Sequence, residues 1–224
     1  MDNRTLKNSL YEQVARIGKA VSSPKRLELV ELLAQGEKSV ETLSSELSSD
    51  IKLTSAHLRA LKEARLVTSR REGKYIIYRL AGNDVASLWV SLRQVAEEHL
   101  LELKMALGQM ASDPTKLVAV SRQILLEQAR RGDIVVIDVR PRTEYEAAHL
   151  PFARSMPVAE IEQRLAELPT DREIVAYCRG PFCLFSDEAV ALLAARGYRA
   201  RKIPDGVNEW QAAGFPVESP GVSP

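Results

Sequence analysis

IKLTSAHLRALKEARLVTSRREGKYIIYRL, residues 51–80, decides how the first half of the chain folds. Apolar Ile51, Leu58, Leu61 and Leu66 recur at helical spacing over 51–67 and define an inward face. Lys52, Thr54, Ser55, His57, Arg59 and Lys62 take the outward positions, all polar or basic. From Val67 to Leu80 the pattern alternates, and Glu72-Gly73-Lys74 turns it back on itself as a β-hairpin. Arg70, Arg71 and Lys74 make the hairpin tip basic. Residues 52–79 carry eight basic side chains against Glu63 and Glu72, a local charge of +6 in a 224-residue chain whose net charge is only +1. Such a concentration suits an element that grips phosphates.

Upstream, Leu6, Leu10, Val14, Ile17 and Val21 repeat at threes and fours, which predicts a helix over 4–20. Pro24 follows Ser22 and Ser23, opening a second helix lined by Leu27, Val30, Leu32 and Leu33 that Gly36 ends. Ser39 begins a third helix, and a turn at 48–50 leads into the basic one. Two short helices joined by a tight turn, then a basic hairpin, describe a helix-turn-helix with a wing. Its second helix is placed to enter a major groove while the wing tracks the backbone.

The run from Ser23 to Leu80 resembles the ArsR-type family of dimeric bacterial transcriptional repressors, most specifically in the S-x-H-L-x-x-L-x-x-A-x-L-V pattern at 55–67. Arg65 stands where the family usually has glycine. The resemblance implies double-stranded operator DNA as partner, read by Lys52, Thr54, Ser55, His57, Arg59, Lys62, Arg70, Arg71 and Lys74. It also implies a homodimer formed with the first helix and the apolar stripe Val85, Leu88, Trp89, Leu92, Val95, Leu100, Leu103 and Leu107; burial against the second half is the alternative. Residues 39–47 lack cysteine, Asp84 is not followed by a suitable histidine, and His99 stands alone, so no metal site or cofactor is expected.

After 108–114, GQMASDP, helices and strands alternate: a helix over 117–133, a strand at 134–140, helices at 143–148 and 158–168, a strand at 173–178, a helix at 185–196, a strand near 199–203 and a helix at 206–213. Strands separated by helices predict a parallel sheet with its site at the strands' carboxyl ends. There the only two cysteines, Cys178 and Cys183, flank Arg179-Gly180-Pro181-Phe182 between a strand and a helix. Convergent loop amides, the following helix and Arg179 all favour a thiolate at Cys178. Two buried structural cysteines are the plainer alternative.

DVRPRTEYEAAHLPFA (138–153), YCRGPFC (177–183) and DGVNEWQAAGFPVE (205–218) together resemble a rhodanese domain over about 117–218. The resemblance implies Cys178 as a nucleophile that takes sulfane sulfur from a small-molecule donor as a persulfide. The loop residues Gly180, Pro181, Phe182 and Leu184 would cradle it, and Asp138 and Arg140 match the family's D-x-R. Glu144, His149 and Trp210 match architectural positions. Pro181 and Cys183 depart from the family loop, so donor preference does not transfer, and Leu184 in place of arginine disfavours phosphate-ester chemistry.

The expected architecture is thus multidomain: an α+β winged helix-turn-helix at 1–107, a linker at 108–116, and an α/β rhodanese-like domain with a parallel sheet at 117–224. The first part sums to +3 and 108–224 to −2, so the near-neutral total conceals two unlike halves. Two cysteines and no long apolar run suit a cytoplasmic protein with no membrane span. The favoured function is a DNA-binding regulator that senses reactive sulfur through persulfide, disulfide or polysulfide formation at Cys178 and Cys183. The alternative is a sulfurtransferase that uses its winged helix for dimerisation or localisation.

Overall fold

The computed structural model describes residues 2–110, 116–118 and 120–219. They form two compact units that divide between Trp89 and Val90.

In the first unit, Asp2 caps helix α1 (Asn3–Val21) by accepting from the Thr5 amide at 2.8 Å. Leu6, Leu10, Tyr11 and Val14 along α1 are exposed. Pro24 occupies the first turn of α2 (Pro24–Ala34), where its missing N–H costs nothing. The two-residue strand β1 (Lys38–Ser39) precedes α3 (Val40–Glu46), whose first turn is capped by Ser39. Asp50 likewise caps α4 (Ile51–Glu63) through the Leu53 amide at 2.9 Å. The hairpin is β2 (Val67–Glu72) and β3 (Tyr75–Leu80), paired from Val67↔Leu80 to Glu72↔Tyr75, with β1 added to β3 as a third antiparallel strand. Leu29, Leu33, Leu43, Leu58, Leu61 and Leu66 are among its buried side chains.

Three expectations for this unit are corrected. Thr54 does not point outward: it is fully buried, because it lies one and two turns before Leu58 and Leu61 on the same face. Ile51, expected inward, is half exposed, since it sits in the first turn beyond the reach of that core. The helix expected to run to 67 ends at Glu63, because Arg65 takes a left-handed φ of +63° and the Leu66 amide closes back on the Leu61 carbonyl at 3.0 Å.

Helix α5 (Asn83–His99) and helix α6 (Leu101–Met110) break the expected continuous stripe at Leu100. Val85 and Trp89 are buried, whereas Leu88, Leu92, Val95 and Leu100 are exposed. The division between units falls within α5, well before the expected linker at 108–116. Residues 108–110 complete α6, and 111–115 lie outside the described residues.

In the second unit, Leu117 pairs in parallel with Lys202. The helix expected from 117 therefore starts later, as α7 (Arg122–Arg131) capped by Ser121. The remaining elements are β4 (Ile134–Asp138), α8 (Arg142–Ala147), β5 (Arg154–Ser155), α9 (Ile161–Arg164), β6 (Glu173–Tyr177), α10 (Phe185–Ala195), β7 (Ala200–Lys202) and α11 (Val207–Ala212). The helix expected over 158–168 is one α-helical turn, α9, between two 3-10 turns. All neighbouring strands are parallel, in the order β5-β4-β6-β7. Strands β4 and β6 are covered on both faces, which explains their nearly unbroken apolar runs. Val135, Ile137, Ile174 and Ala176 pack with Ala189, Val190 and Leu193 of α10; Val136, Val175 and Tyr177 pack on the other face with Leu125 and Trp210. The carboxyl end of β6 runs into the loop 178–184, the position favoured for sites in parallel sheets. Among the described residues, no helix is long and apolar enough to cross a membrane.

Candidate functional site

Cys178 leaves β6 almost completely buried, and Cys183 returns half-buried just before α10; both are free thiols. The Cys178 sulfur lies 3.3 Å from the Cys183 carbonyl oxygen and 3.3 Å from Ser186 Oγ. The loop is tight, with the Cys183 amide donating to the Gly180 carbonyl at 3.1 Å. A side-chain hydrogen bond with Cys183 lowers the Cys178 pKa to about 6 against the opposing effect of burial, helped by Ser186 and the Gly180 backbone. The partner thiol moves the other way: its bond to Cys178 and its own burial push Cys183 up. The pair is therefore asymmetric, Cys178 the readier to ionise and Cys183 the readier to keep its proton, an arrangement fit for nucleophilic attack followed by thiol–disulfide exchange. Alkylation of Cys178 by iodoacetamide should accordingly rise through about pH 6 and be nearly maximal at pH 7. It falls off as acid protonates the thiolate. Cys183→Ala removes the largest lowering interaction and should move the profile to higher pH; an unshifted profile near pH 8.5, about the ordinary thiol value, in both proteins would contradict the assignment.

The charged residues around the loop are paired. Arg179, expected to favour the thiolate, directs its guanidinium to buried Glu144 at 2.5 and 3.0 Å and lies over the Phe185 ring. The lowering at Cys178 comes instead from Cys183, Ser186 and Gly180. Asp138 and Arg140 are both fully buried and paired at 2.6 Å. Arg140 also donates to the Ala148 carbonyl, and Tyr177 donates to Asp138 at 2.5 Å, tying the ends of β4 and β6 together. His149 stacks on Tyr145, with its Nδ1 2.9 Å from the Tyr145 carbonyl oxygen. Trp210 is buried in the core facing α7.

Four contributors escaped the sequence reading: Ser186, Glu209, Arg93 and Glu97. Glu209 accepts from the Gly206 amide at 2.8 Å and lies against Gly180, whose φ of +141° suits only glycine. Gly206 is also required for space, since a Cβ there would meet the Cys178 and Arg179 carbonyls below 3 Å. Arg93, almost wholly buried in the part of α5 belonging to the second unit, pairs with Glu209 at 3.0 Å and with Glu97, and stands over the Phe182 ring. An arginine within an apolar helical stripe was the one available signal for it.

A cavity of about 260 Å³ opens beside the loop, within the second unit. Gly180, Pro181, Cys183 and Leu184 form its loop wall, and Ser186 of α10 adjoins them. Cys183 and Ser186, the two side chains that hold Cys178, thus face this space.

In the first unit, Lys52, Arg59, Lys62, Arg70, Arg71 and Lys74 are exposed, and Ser55 is half-buried. His57 is half-buried beside them. Lys62 donates to Ser69 at 2.7 Å, joining α4 to β2, while Arg70 pairs with Glu37 and Glu72. Helix and hairpin therefore present one basic surface. Buried Thr54 is not part of it.

A family model described as bacterial regulatory protein, arsR family, matches residues 23–69, and one described as rhodanese-like domain matches residues 121–213. The chain is 42% identical to the HTH-type transcriptional regulator Rv0324 of Mycobacterium tuberculosis over 95% of its own length and 93% of the relative's. A sulfurtransferase of Allochromatium vinosum is 33% identical over 39% of this chain and 81% of that protein. Among solved structures, the homodimeric winged helix-turn-helix DNA-binding domain of a possible ArsR-family regulator from Mycobacterium bovis is 44% identical, covering 46% of this chain and 93% of that fragment, with a TM-score of 0.42.

Proposed function

Because the chain belongs to the arsR family of bacterial transcriptional regulators and carries a C-terminal rhodanese-like domain, we propose that it is an operator-binding repressor whose DNA affinity is set by reactive sulfur at Cys178 and Cys183. The observation that carries this reading is the placement of two free thiols in one strand-to-helix loop, with Cys178 held 3.3 Å from Ser186 Oγ and Cys183 lining the adjoining cavity. In the proposed step, the Cys178 thiolate attacks the sulfane sulfur of a donor, and the donor leaves as its reduced thiolate or sulfite. Cys183 then attacks the inner sulfur of the Cys178 persulfide, forming the disulfide and releasing hydrogen sulfide. Cys178 and Cys183 do the chemistry; Gly180, Pro181, Phe182 and Leu184 shape the loop around it. Asp138, Arg140 and Arg179 act as positioning residues through their ion pairs.

The DNA-facing residues in this reading are Lys52, Ser55, His57, Arg59 and Lys62 on α4 and Arg70, Arg71 and Lys74 on the wing. A homodimer is supported by the uncovered Leu6, Leu10 and Val14 of α1, and two-fold symmetry implies a pseudo-palindromic operator. The cytoplasm, where DNA and reduced thiols meet, is the proposed compartment. A modest coupling between loop and operator, about 1–3 kcal/mol, changes affinity roughly 5- to 150-fold.

Fluorescence anisotropy with a duplex selected by the reduced protein from a random pool tests this. Treatment with a sulfane-sulfur donor should shift the wild-type Kd within that range, while Cys178→Ser should keep the untreated Kd and not respond. A Cys178→Ser protein that responds like wild type defeats the proposal. The likeness to the Allochromatium sulfurtransferase favours a second reading, a working sulfurtransferase. It requires multiple-turnover sulfur transfer to a thiol or cyanide, with donor-independent DNA affinity.

A further inference from the structure

The charge and lining of the cavity beside Cys183 bear on the donor. Around the loop, four carboxylates (Glu97, Glu144, Asp187 and Glu209) face three cations (Arg93, Arg179 and Lys202), and each cation is ion-paired to at least one of them. Lys202 and Asp187, which line the cavity together, are bonded to each other. Glu97, also in the lining, adds a negative charge held by Arg93. The rest of the wall is largely apolar, with Leu107, Met110, Leu117, Leu184, Ile203 and Pro204. A dianion such as thiosulfate entering this space gives up water and meets, among the described lining residues, only the cation Lys202, already paired with Asp187, whereas an uncharged chain gains from burial.

We infer that the cavity seats uncharged organic polysulfides with short alkyl tails, making these rather than thiosulfate the donors of the sensing site proposed above. The inference rests on that function and narrows its substrate class. For a dialkyl trisulfide, R–S–S–S–R, the Cys178 thiolate attacks the central sulfur, and one alkyl thiolate leaves. Cys183 then attacks that same sulfur, now bonded to Cys178, and expels the second alkyl thiolate. The product is a Cys178–S–S–S–Cys183 bridge, and the two protons of the cysteine thiols end on two alkyl thiols. The cysteines are oxidised and the donor's two outer sulfurs are reduced, so no further oxidant is required.

Mass spectrometry of the 178–183 peptide in the full-length protein tests this, with dipropyl trisulfide and thiosulfate as probes at equal concentration. Modification by the trisulfide should be faster by about tenfold or more, the effect of a few methylene groups in an apolar pocket. Leu184 lines the cavity and is half exposed, so replacing it removes little buried contact. Leu184→Lys should lower the trisulfide-to-thiosulfate rate ratio several-fold by placing an unengaged cation there. Thiosulfate reacting as fast as the trisulfide in the wild type, or a ratio unchanged in Leu184→Lys, overturns the inference and leaves sulfur sensing intact. Failure of every donor to modify Cys178 overturns both.

Discussion

Replacing Arg140 with methionine should destabilise the second unit by about 3–5 kcal/mol, the cost of leaving a buried partner charge uncompensated. Asp138 and Arg140 are almost entirely excluded from solvent and bonded at 2.6 Å, and the same guanidinium holds the Ala148 carbonyl at 2.7 Å. Methionine fills part of the volume but leaves Asp138, among the described residues, with the Tyr177 hydroxyl and the backbone amide of residue 140. For a unit of this size the loss corresponds to a fall in Tm of roughly 10–20 °C, measurable by calorimetry. Asp138→Asn combined with Arg140→Met should recover part of the stability, because the orphaned charge is then gone. A single-variant loss of less than about 1 kcal/mol, the range of an exposed pair, would mean that water reaches the ion pair in solution.

Operator affinity should fall by about 10³–10⁵ between 50 and 200 mM salt, provided the dimer neutralises roughly 6–10 phosphates. Each protomer presents seven exposed basic side chains on α4 and the wing, Lys52, Arg59, Lys62, Arg70, Arg71, Lys74 and Arg79, enough for that number in a two-fold complex. Arg70 is engaged with Glu37 and Glu72 in the free protein and must exchange carboxylate for phosphate, so it contributes less than Arg59. Arg59→Gln should reduce the slope of log affinity against log salt by about 0.9 for each phosphate that the variant no longer neutralises. Anisotropy titrations across a series of salt concentrations read both quantities. A slope unchanged by Arg59→Gln would remove Arg59 from the phosphate-binding surface.

The readable parts of the sequence were those where a local rule and the tertiary fold agree. The hairpin at 67–80 was legible because alternation and Gly73 specify the same turn. Strands β4 and β6 were legible from their apolar runs, and the placement of Cys178 from the strand end before it. Helix limits were less so. Arg65 ends α4 by adopting a left-handed conformation that no propensity favours, and Leu117 is drawn into pairing with Lys202 rather than into α7. β1 and β5 have two residues each, too short to display any alternation. Thr54 illustrates the general difficulty: polarity suggested an outward position, yet its place in line with Leu58 and Leu61 buries it.

By itself the sequence determined the two-part architecture, the basic helix and wing, and the concentration of both cysteines in one strand-to-helix loop. Periodicity, turn residues and local charge are properties of neighbouring positions, and they survive without a third dimension. Only the tertiary structure decided which charges are available. Arg179 is adjacent to Cys178 in sequence but is spent on Glu144, whereas Cys183 and Ser186, five and eight residues along, hold the sulfur. Arg93 and Glu209, 116 residues apart, meet beside Gly180 and Phe182. The strength of a charge or a thiol depends on burial and on the nearest opposite partner. Those are distances through space, and the chain order does not contain them.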